Sequence, residues 1–275
     1  MNTQELRRLQ DKAKEIRKLT IEEIGNLGLG HIGGSLSIVD ILTLLYYHIM
    51  EKLDAENPRK EGRDKLVLSK GHAGPALYAV LADKGYFPKE WLMTLNQGGT
   101  NLPSHCDMNK TPGIDFTTGS LGQGASAAAG IALADKLKNS KANTYLIIGD
   151  GESQEGQIWE MGMFAAQYKL SNLIAFMDFN KLQIDGTISE VVELENIEMK
   201  WKGFGWHVQR VDGHDLEKLE QAVLNAKAEK TRPSMIICDT IKAKGFSPAQ
   251  GKVTSHHMAF SKEIADKAIQ DLFSE

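Results

Sequence analysis

Tyr145-Leu146-Ile147-Ile148-Gly149-Asp150-Gly151 reads as an apolar strand running into a small, acidic, small turn. A strand of unbroken apolar residues, without polar alternation, belongs to a parallel sheet covered on both faces. Asp150 at its tip offers a hard oxygen ligand, and the flanking glycines let a backbone approach a bound group closely. Between Gly151 and Asn180 lie 28 residues, and Asn180 ends the next apolar run, Leu173 to Phe179. One crossover helix and one strand fit that interval, so Asp150 and Asn180 are expected side by side at one sheet edge. Two oxygen ligands on adjacent strand tips suit Mg²⁺ or Ca²⁺ bridging a diphosphate. They do not suit zinc, which takes His or Cys.

Outward from this stretch the same alternation continues. Strands are predicted at Lys65 to Ser69, Tyr145 to Ile148, Leu173 to Phe179, His207 to Val211 and Ser234 to Asp239. Helices are predicted between them at Ala73 to Lys84, Gln123 to Leu137, Gln157 to Tyr168 and Leu216 to Lys227. An amphipathic helix carrying Leu6, Leu9, Ala13, Ile16 and Ile24 opens the chain and runs into a loop at Gly25, Gly28, Gly30, Gly33 and Gly34. A second helix, capped by Ser37, reaches Met50, and Ser261 to Phe273 reads as a finished terminal helix. The fold class is therefore α/β, a doubly wound parallel sheet with helices on both faces, drawn as one domain over residues 1–275 because no linker or repeat interrupts it. In such sheets ligands bind at the carboxyl ends of the strands, which directs attention to the residues after Ser69, Ile148 and Phe179.

Composition narrows the class. Of 275 residues, 41% are hydrophobic and 25% charged, as in an ordinary globular protein, and the net charge of −4 offers no footprint for nucleic acid or anionic lipid. The greasy stretch Ile41 to Met50 is too short to span a bilayer, and the charged amino terminus lacks the apolar core of a signal peptide. Cys106 and Cys238 lie far apart; two separate thiols in a reducing compartment is the preferred reading, a disulfide the alternative. These features place the protein in the cytoplasm.

Gly28-Leu29-Gly30-His31-Ile32-Gly33 formally matches the dinucleotide fingerprint GxGxxG, yet the residues before it read as helix where that fingerprint needs a strand. A nicotinamide or flavin site is set aside on that ground. The plain alternative, glycines that merely turn the chain, leaves His31 unexplained.

Gly149-Asp150-Gly151 through Asn180-Lys181-Leu182-Gln183-Ile184-Asp185-Gly186 resembles the signature of thiamine-diphosphate enzymes. Together with Gly30-His31, Ser69-Lys70-Gly71-His72-Ala73, Gly119-Ser120-Leu121-Gly122-Gln123-Gly124 and Gly149-Asp150-Gly151-Glu152-Ser153-Gln154-Glu155-Gly156, it follows the order and spacing of the transketolase family, from about Gly25 to His257. The resemblance implies Asp150, Asn180 and the Leu182 carbonyl as ligands of Mg²⁺ (or Ca²⁺). It implies Gly151 and Asn180 at the diphosphate, and His72 and the turn Gly119, Ser120 and Leu121 at the cofactor. It implies His31, His72 and His105 as cleft histidines, with His256 or His257 a further one, His256 preferred. Glu155 is expected at a subunit interface that communicates between two cofactors, and Glu152 as a first-turn acid favoured by the helix dipole.

Imidazole suits such a cleft, since protons must move on and off sugar oxygens near neutral pH. The cofactor itself is the electron sink, so the protein supplies positioning and hydrogen bonds. The family's pyrimidine-binding half is not among these motifs. The resemblance therefore implies the amino-terminal subunit of a split transketolase that moves a two-carbon ketol unit between sugar phosphates and works only with a separate pyrimidine-binding subunit, as a heterotetramer. The sugars, of the pentose phosphate pathway or modified ones, are left open, as is the effect of Ile32, where many relatives carry Pro. Competing readings are the α subunit of a 2-oxo acid dehydrogenase, which lacks the histidine set, 1-deoxyxylulose-5-phosphate synthase, and a non-catalytic homologue.

Overall fold

A computed structural model describes residues 1–274. Its strands are β1 (Leu29–Gly30), β2 (Lys65–Leu68), β3 (Thr144–Gly149), β4 (Leu173–Phe179), β5 (Leu182–Gln183), β6 (Gly186–Thr187), β7 (His207–Asp212), β8 (Ser234–Asp239) and β9 (Met258–Ala259). Five of them form one parallel sheet in the order β2-β3-β4-β8-β7, which is the sheet the apolar runs predict. Two antiparallel pairs, β1 with β9 and β5 with β6, stand apart from it. Each is too short to show as a periodic run in the sequence.

Alternation along the strands explains why both faces are covered. Tyr145 and Ile147 of β3 pack into one buried cluster, with Phe176 and Ile236, whereas Leu146 and Ile148 join the other, with Ala175, Met177 and Ile237. The first cluster is closed by α1 (Thr3–Leu27), α2 (Ile32–Leu36), α3 (Val39–Leu44), α4 (Gly74–Asp83), α9 (Leu216–Ala228) and α10 (Lys262–Ser274). The second is closed by α5 (Gln123–Leu137), α6 (Gly156–Gln167), α7 (Ile188–Val191) and α8 (Ile197–Gly203). Each large side chain buried in this way, such as Phe176 or Trp201, contributes roughly 1.5–3 kcal/mol.

The first helix is capped by Asn2, whose side chain accepts from the Glu5 amide, and ends at Gly28, whose φ of 83° favours glycine. It does not stop at Gly25 as the sequence pattern leads one to expect. That glycine stays helical because a Cβ there would lie 2.7 Å from the Ala265 Cβ of α10, so its smallness serves helix packing.

The helix predicted from Ser37 to Met50 is also corrected. The chain forms α2, breaks at Ser37 and Ile38, forms α3, and closes with a π-helical turn over Leu45–Ile49. Ser37 caps nothing at its amino end. Its hydroxyl instead donates to the buried carboxylate of Asp178 on β4, 2.7 Å away, a long-range bond that local pattern cannot announce. Cys106 and Cys238 are buried, separate thiols.

Candidate active site

The carboxyl ends of β2, β3, β4 and β8 open on one edge of the sheet and deliver Lys70 to His72, Asp150 to Gly151, Asn180 to Leu182 and Thr240 to Lys242 to one place. In β3 and β4, Gly149 pairs with Asp178, so Asp150 and Asn180 do stand on neighbouring tips. Asp150 is buried, accepts the Gly151 and Lys181 amides, and has its carboxyl pushed up to about 7 by burial and then by the nearby Asp178 charge. A buried carboxyl whose ionised form is disfavoured in this way gains from a cation beside it.

The Asn180 amide is oriented from both sides: its Nδ2 donates to Asp178 at 2.9 Å, while its Oδ1 accepts the Leu182 amide at 3.1 Å. The Leu182 carbonyl accepts from Lys242 Nζ at 2.7 Å, leaving a second lone pair. Next to Gly151, the buried Gln183 Oε1 has no hydrogen-bond partner among the described residues, and a Cβ on Gly151 would come within 3.1 Å of it. One carboxylate, one amide oxygen, one carbonyl and an orphaned oxygen make a hard-oxygen set that fits Mg²⁺ or Ca²⁺. The Gly151 amide, expected at a diphosphate, donates here to Asp150 Oδ1 at 2.8 Å.

Four of the five histidines singled out by sequence surround the fifth. His31 lies with its ring centre 5.4 Å from His72, 5.8 Å from His105, 5.7 Å from His256 and 4.4 Å from His257. His72 and His256 are 5.2 Å apart. The choice between His256 and His257 thus resolves into both approaching His31, with only His256 also reaching His72. Burial, followed by the neighbouring His257, His105 and lysine charges, lowers the His31 ring to about 4. Burial, followed by Lys242, takes His256 to about 3, and burial together with Lys70 takes His72 well below the ordinary range. These rings are neutral at pH 7. Lys242 Nζ donates to His256 Nδ1 at 3.1 Å, which leaves the proton of that neutral ring on Nε2.

The turn Gly119, Ser120 and Leu121 borders this cluster. A Cβ on Gly119 would touch His105 at 3.3 Å, and one on Gly71 would meet the Gly119 amide at 2.8 Å, so only glycine at 71 lets the two loops close on each other. Glu155 lies beside the residue that follows the turn 119–121, its Cβ standing 3.4 Å from where a Cβ on Gly122 would fall. It is exposed at the start of α6, without a side-chain hydrogen bond or ion pair among the described residues.

Glu152 does lie in the first turn of the short 3-10 helix Gly151–Gln154, and it is in addition a buried strut. Its carboxylate accepts the Ser69 hydroxyl and the amides of Gly122 at 2.9 Å and Gly149 at 3.0 Å, tying the tips of β2 and β3 to the start of α5.

Three further residues, Asp178, Lys70 and Lys242, receive no role from the sequence, although Lys70 lies within Ser69-Lys70-Gly71-His72-Ala73. Asp178 accepts Ser37, Lys70, Thr240 and Asn180 at once, the Lys70 pair being almost fully buried. Lys70 also donates to the Gly34 carbonyl at 3.0 Å. Lys242 is buried, with burial and then Lys70 lowering its ammonium to about 8. A carboxylate inside an apolar strand and a lysine just past a strand tip were the available signals.

Residues 9–272 match the family described as transketolase, thiamine diphosphate binding domain. The chain is 57% identical, over 97% of its own length and 97% of the relative's, to the 6-deoxy-6-sulfo-D-fructose transketolase subunit of Clostridium sp. (strain MSTE9). It is 37% identical, over 96% of this chain and 93% of the relative, to an apulose-4-phosphate transketolase subunit of Phocaeicola vulgatus. The crystal structure of transketolase from Campylobacter jejuni superposes with a TM-score of 0.92 at 33% identity, covering 99% of this chain and 43% of that one.

Proposed function

We propose, from the premise that this chain belongs to the transketolase family, that it is the diphosphate-binding subunit of a split transketolase. The activity is transfer of a two-carbon ketol unit from a ketose to an aldose, each bearing a terminal phosphate or sulfonate. The observation that carries this reading is the convergence of Asp150, Asn180 and Leu182 with five histidines on one sheet edge. The sulfosugar and apulose phosphate activities named for the two subunit relatives favour a sugar with an anionic tail.

Asp150, Asn180 and the Leu182 carbonyl would hold the divalent ion, with Gly151, Asn180 and His72 near the diphosphate and Gly119, Ser120 and Leu121 along the cofactor. Thiamine diphosphate, when bound, supplies the nucleophilic carbon and the electron sink. The chain's own part is to fix that group and to donate to or accept from the sugar's oxygens. Neutral His31, His72 and His256 suit this because each ring donates a hydrogen bond at one nitrogen and accepts at the other without bringing a resting charge into the cleft. Lys242 adds a buried cation at the diphosphate end.

A separate pyrimidine-binding chain completes the enzyme in this reading. It is supported by a near full-length match to two proteins named subunits, against 43% coverage of a single-chain transketolase. Two copies of each chain would form a heterotetramer of the cytoplasm. The test is a coupled ketol-transfer assay with Mg²⁺ and thiamine diphosphate. The purified chain is expected to be inactive and to gain activity on mixing with the pyrimidine-binding chain. Robust turnover by the chain alone overturns the split-enzyme reading.

A further inference from the structure

The turn between β7 and α9 is fitted to the end of β8. A Cβ on Gly213 would lie 2.5 Å from the Thr240 Cγ2 and 2.9 Å from the Cys238 Cβ, and the Gly213 amide donates to the Asp239 carbonyl at 2.8 Å. Only glycine lets the turn lie this close, and the closeness delivers the next residue, His214, to the segment that carries Lys242. His214 Nδ1 stands 2.7 Å from the Asp40 carboxylate of α3, and its Nε2 accepts the Ile241 amide at 2.8 Å.

Both partners are one-way groups. The Ile241 N–H can only donate, so Nε2 carries no proton. Burial alone would raise the Asp40 carboxyl, but Arg17 and then the His214 bond outweigh it and bring it down to about 2. Ionised Asp40 can only accept, so the ring proton sits on Nδ1. Arg17 of α1 grips the same carboxylate with both Nη atoms, and its Nε donates to the Lys244 carbonyl at 3.2 Å. Two backbone groups, one on each side of Lys242, are thus held by one Arg17–Asp40–His214 chain.

The segment they hold has a shape the backbone does not favour. Ala243 has a φ of 57°, a left-handed conformation uncommon outside glycine, with its amide bonded to the Gly33 carbonyl at 2.9 Å. Lys242, just before it, sets its Nζ 2.7 Å from the Leu182 carbonyl and 3.1 Å from His256 Nδ1. Arg17, Asp40 and His214 make no hydrogen bond of their own to Asp150, Asn180 or a cleft histidine among the described residues. Their influence on the cofactor end passes through that segment.

We propose that His214 is a positioning residue for the cofactor site: its neutral ring, protonated on Nδ1, spans Asp40 and the Ile241 amide and so fixes the peptide from which Lys242 reaches the diphosphate end of the cleft. This assignment rests on the transketolase reading above.

The experiment measures thiamine diphosphate affinity of the complete two-chain enzyme with Mg²⁺, by fluorescence titration. His214→Ala is expected to raise Kd about tenfold, as loss of an orienting partner behind a binding site does. His214→Gln places its amide oxygen where Nε2 stands and is expected to recover most of the affinity. His214→Asn places its amide where Nδ1 stands, keeps Asp40 alone, and is expected to behave like His214→Ala. In a Lys242→Met background, His214→Ala is expected to add less than about twofold, because the side chain it positions is gone. Rescue by Asn and not by Gln, or the same tenfold loss in the Lys242→Met background, overturns the assignment. Independently of any variant, ¹⁵N solid-state NMR of the complete wild-type enzyme should find the neutral His214 ring protonated on Nδ1, and a proton on Nε2 overturns the assignment as well. A wild-type complex that binds no thiamine diphosphate overturns the transketolase reading with it.

Discussion

Asp150 sits where one atom's chemistry decides the outcome. Its carboxylate is the single anionic oxygen among the three expected metal ligands, the others being the Asn180 amide and the Leu182 carbonyl. Asp150→Ala is therefore expected to weaken Mg²⁺-dependent cofactor binding by about a hundredfold or more, measured by fluorescence titration of the assembled enzyme. Near-normal affinity would remove the metal assignment. His31 carries a second prediction. Burial, then the positive surroundings, lower its ring to about 4, so the folded chain resists a proton that the unfolded chain accepts near pH 6.5. The share of stability due to His31 is thus intact above pH 6.5 and is lost as pH falls toward 4. His31→Gln should flatten the dependence of unfolding free energy on pH within that window, and the ring protons of His31 should titrate below pH 5 by NMR. A ring that titrates near 6.5 contradicts this account.

Between elements, Glu152 joins what the helices and strands hold separately. Ser69 follows β2, Gly149 ends β3 and Gly122 begins α5, and all three donate to one buried carboxylate. Removing it leaves two buried amides without an acceptor, at about 1–3 kcal/mol each. Glu152→Ala is expected to destabilise the chain by about 2–4 kcal/mol in urea unfolding, and to loosen the cradle enough to weaken cofactor binding. A loss below about 1 kcal/mol would show that water replaces the strut.

For the molecule as a whole, the surface of α6 bears on assembly. Glu155 at its start has no side-chain partner among the described residues, and Met163 and Phe164 farther along, with Tyr168 just beyond, are exposed at 53%, 37% and 50%. In the proposed two-chain enzyme these exposed apolar side chains are the expected place for another chain to cover. Glu155→Lys is expected to shift the proposed heterotetramer toward smaller species in sedimentation velocity, with the fold of each chain retained. An unaltered tetramer at low micromolar concentration would place the interface elsewhere.

Local pattern was enough for the sheet and for placing Asp150 beside Asn180. Apolar runs such as Leu173 to Phe179, interrupted only by Asp178, read as strands covered on both sides, and GDG with Asn180 one crossover later puts two side-chain oxygens on adjacent tips. Both follow from short intervals along the chain. The break at Ser37, the strut at Glu152, the hub at Asp178 and the place of Lys242 were settled only by the folded arrangement. In each case a polar side chain meets partners that are remote in the chain, and its burial is tolerable only because those partners satisfy it. The same holds for His257 beside His31, since the two-residue pair β1 and β9 is too short to leave a periodic trace and its register exists only once residues 30 and 258 have met.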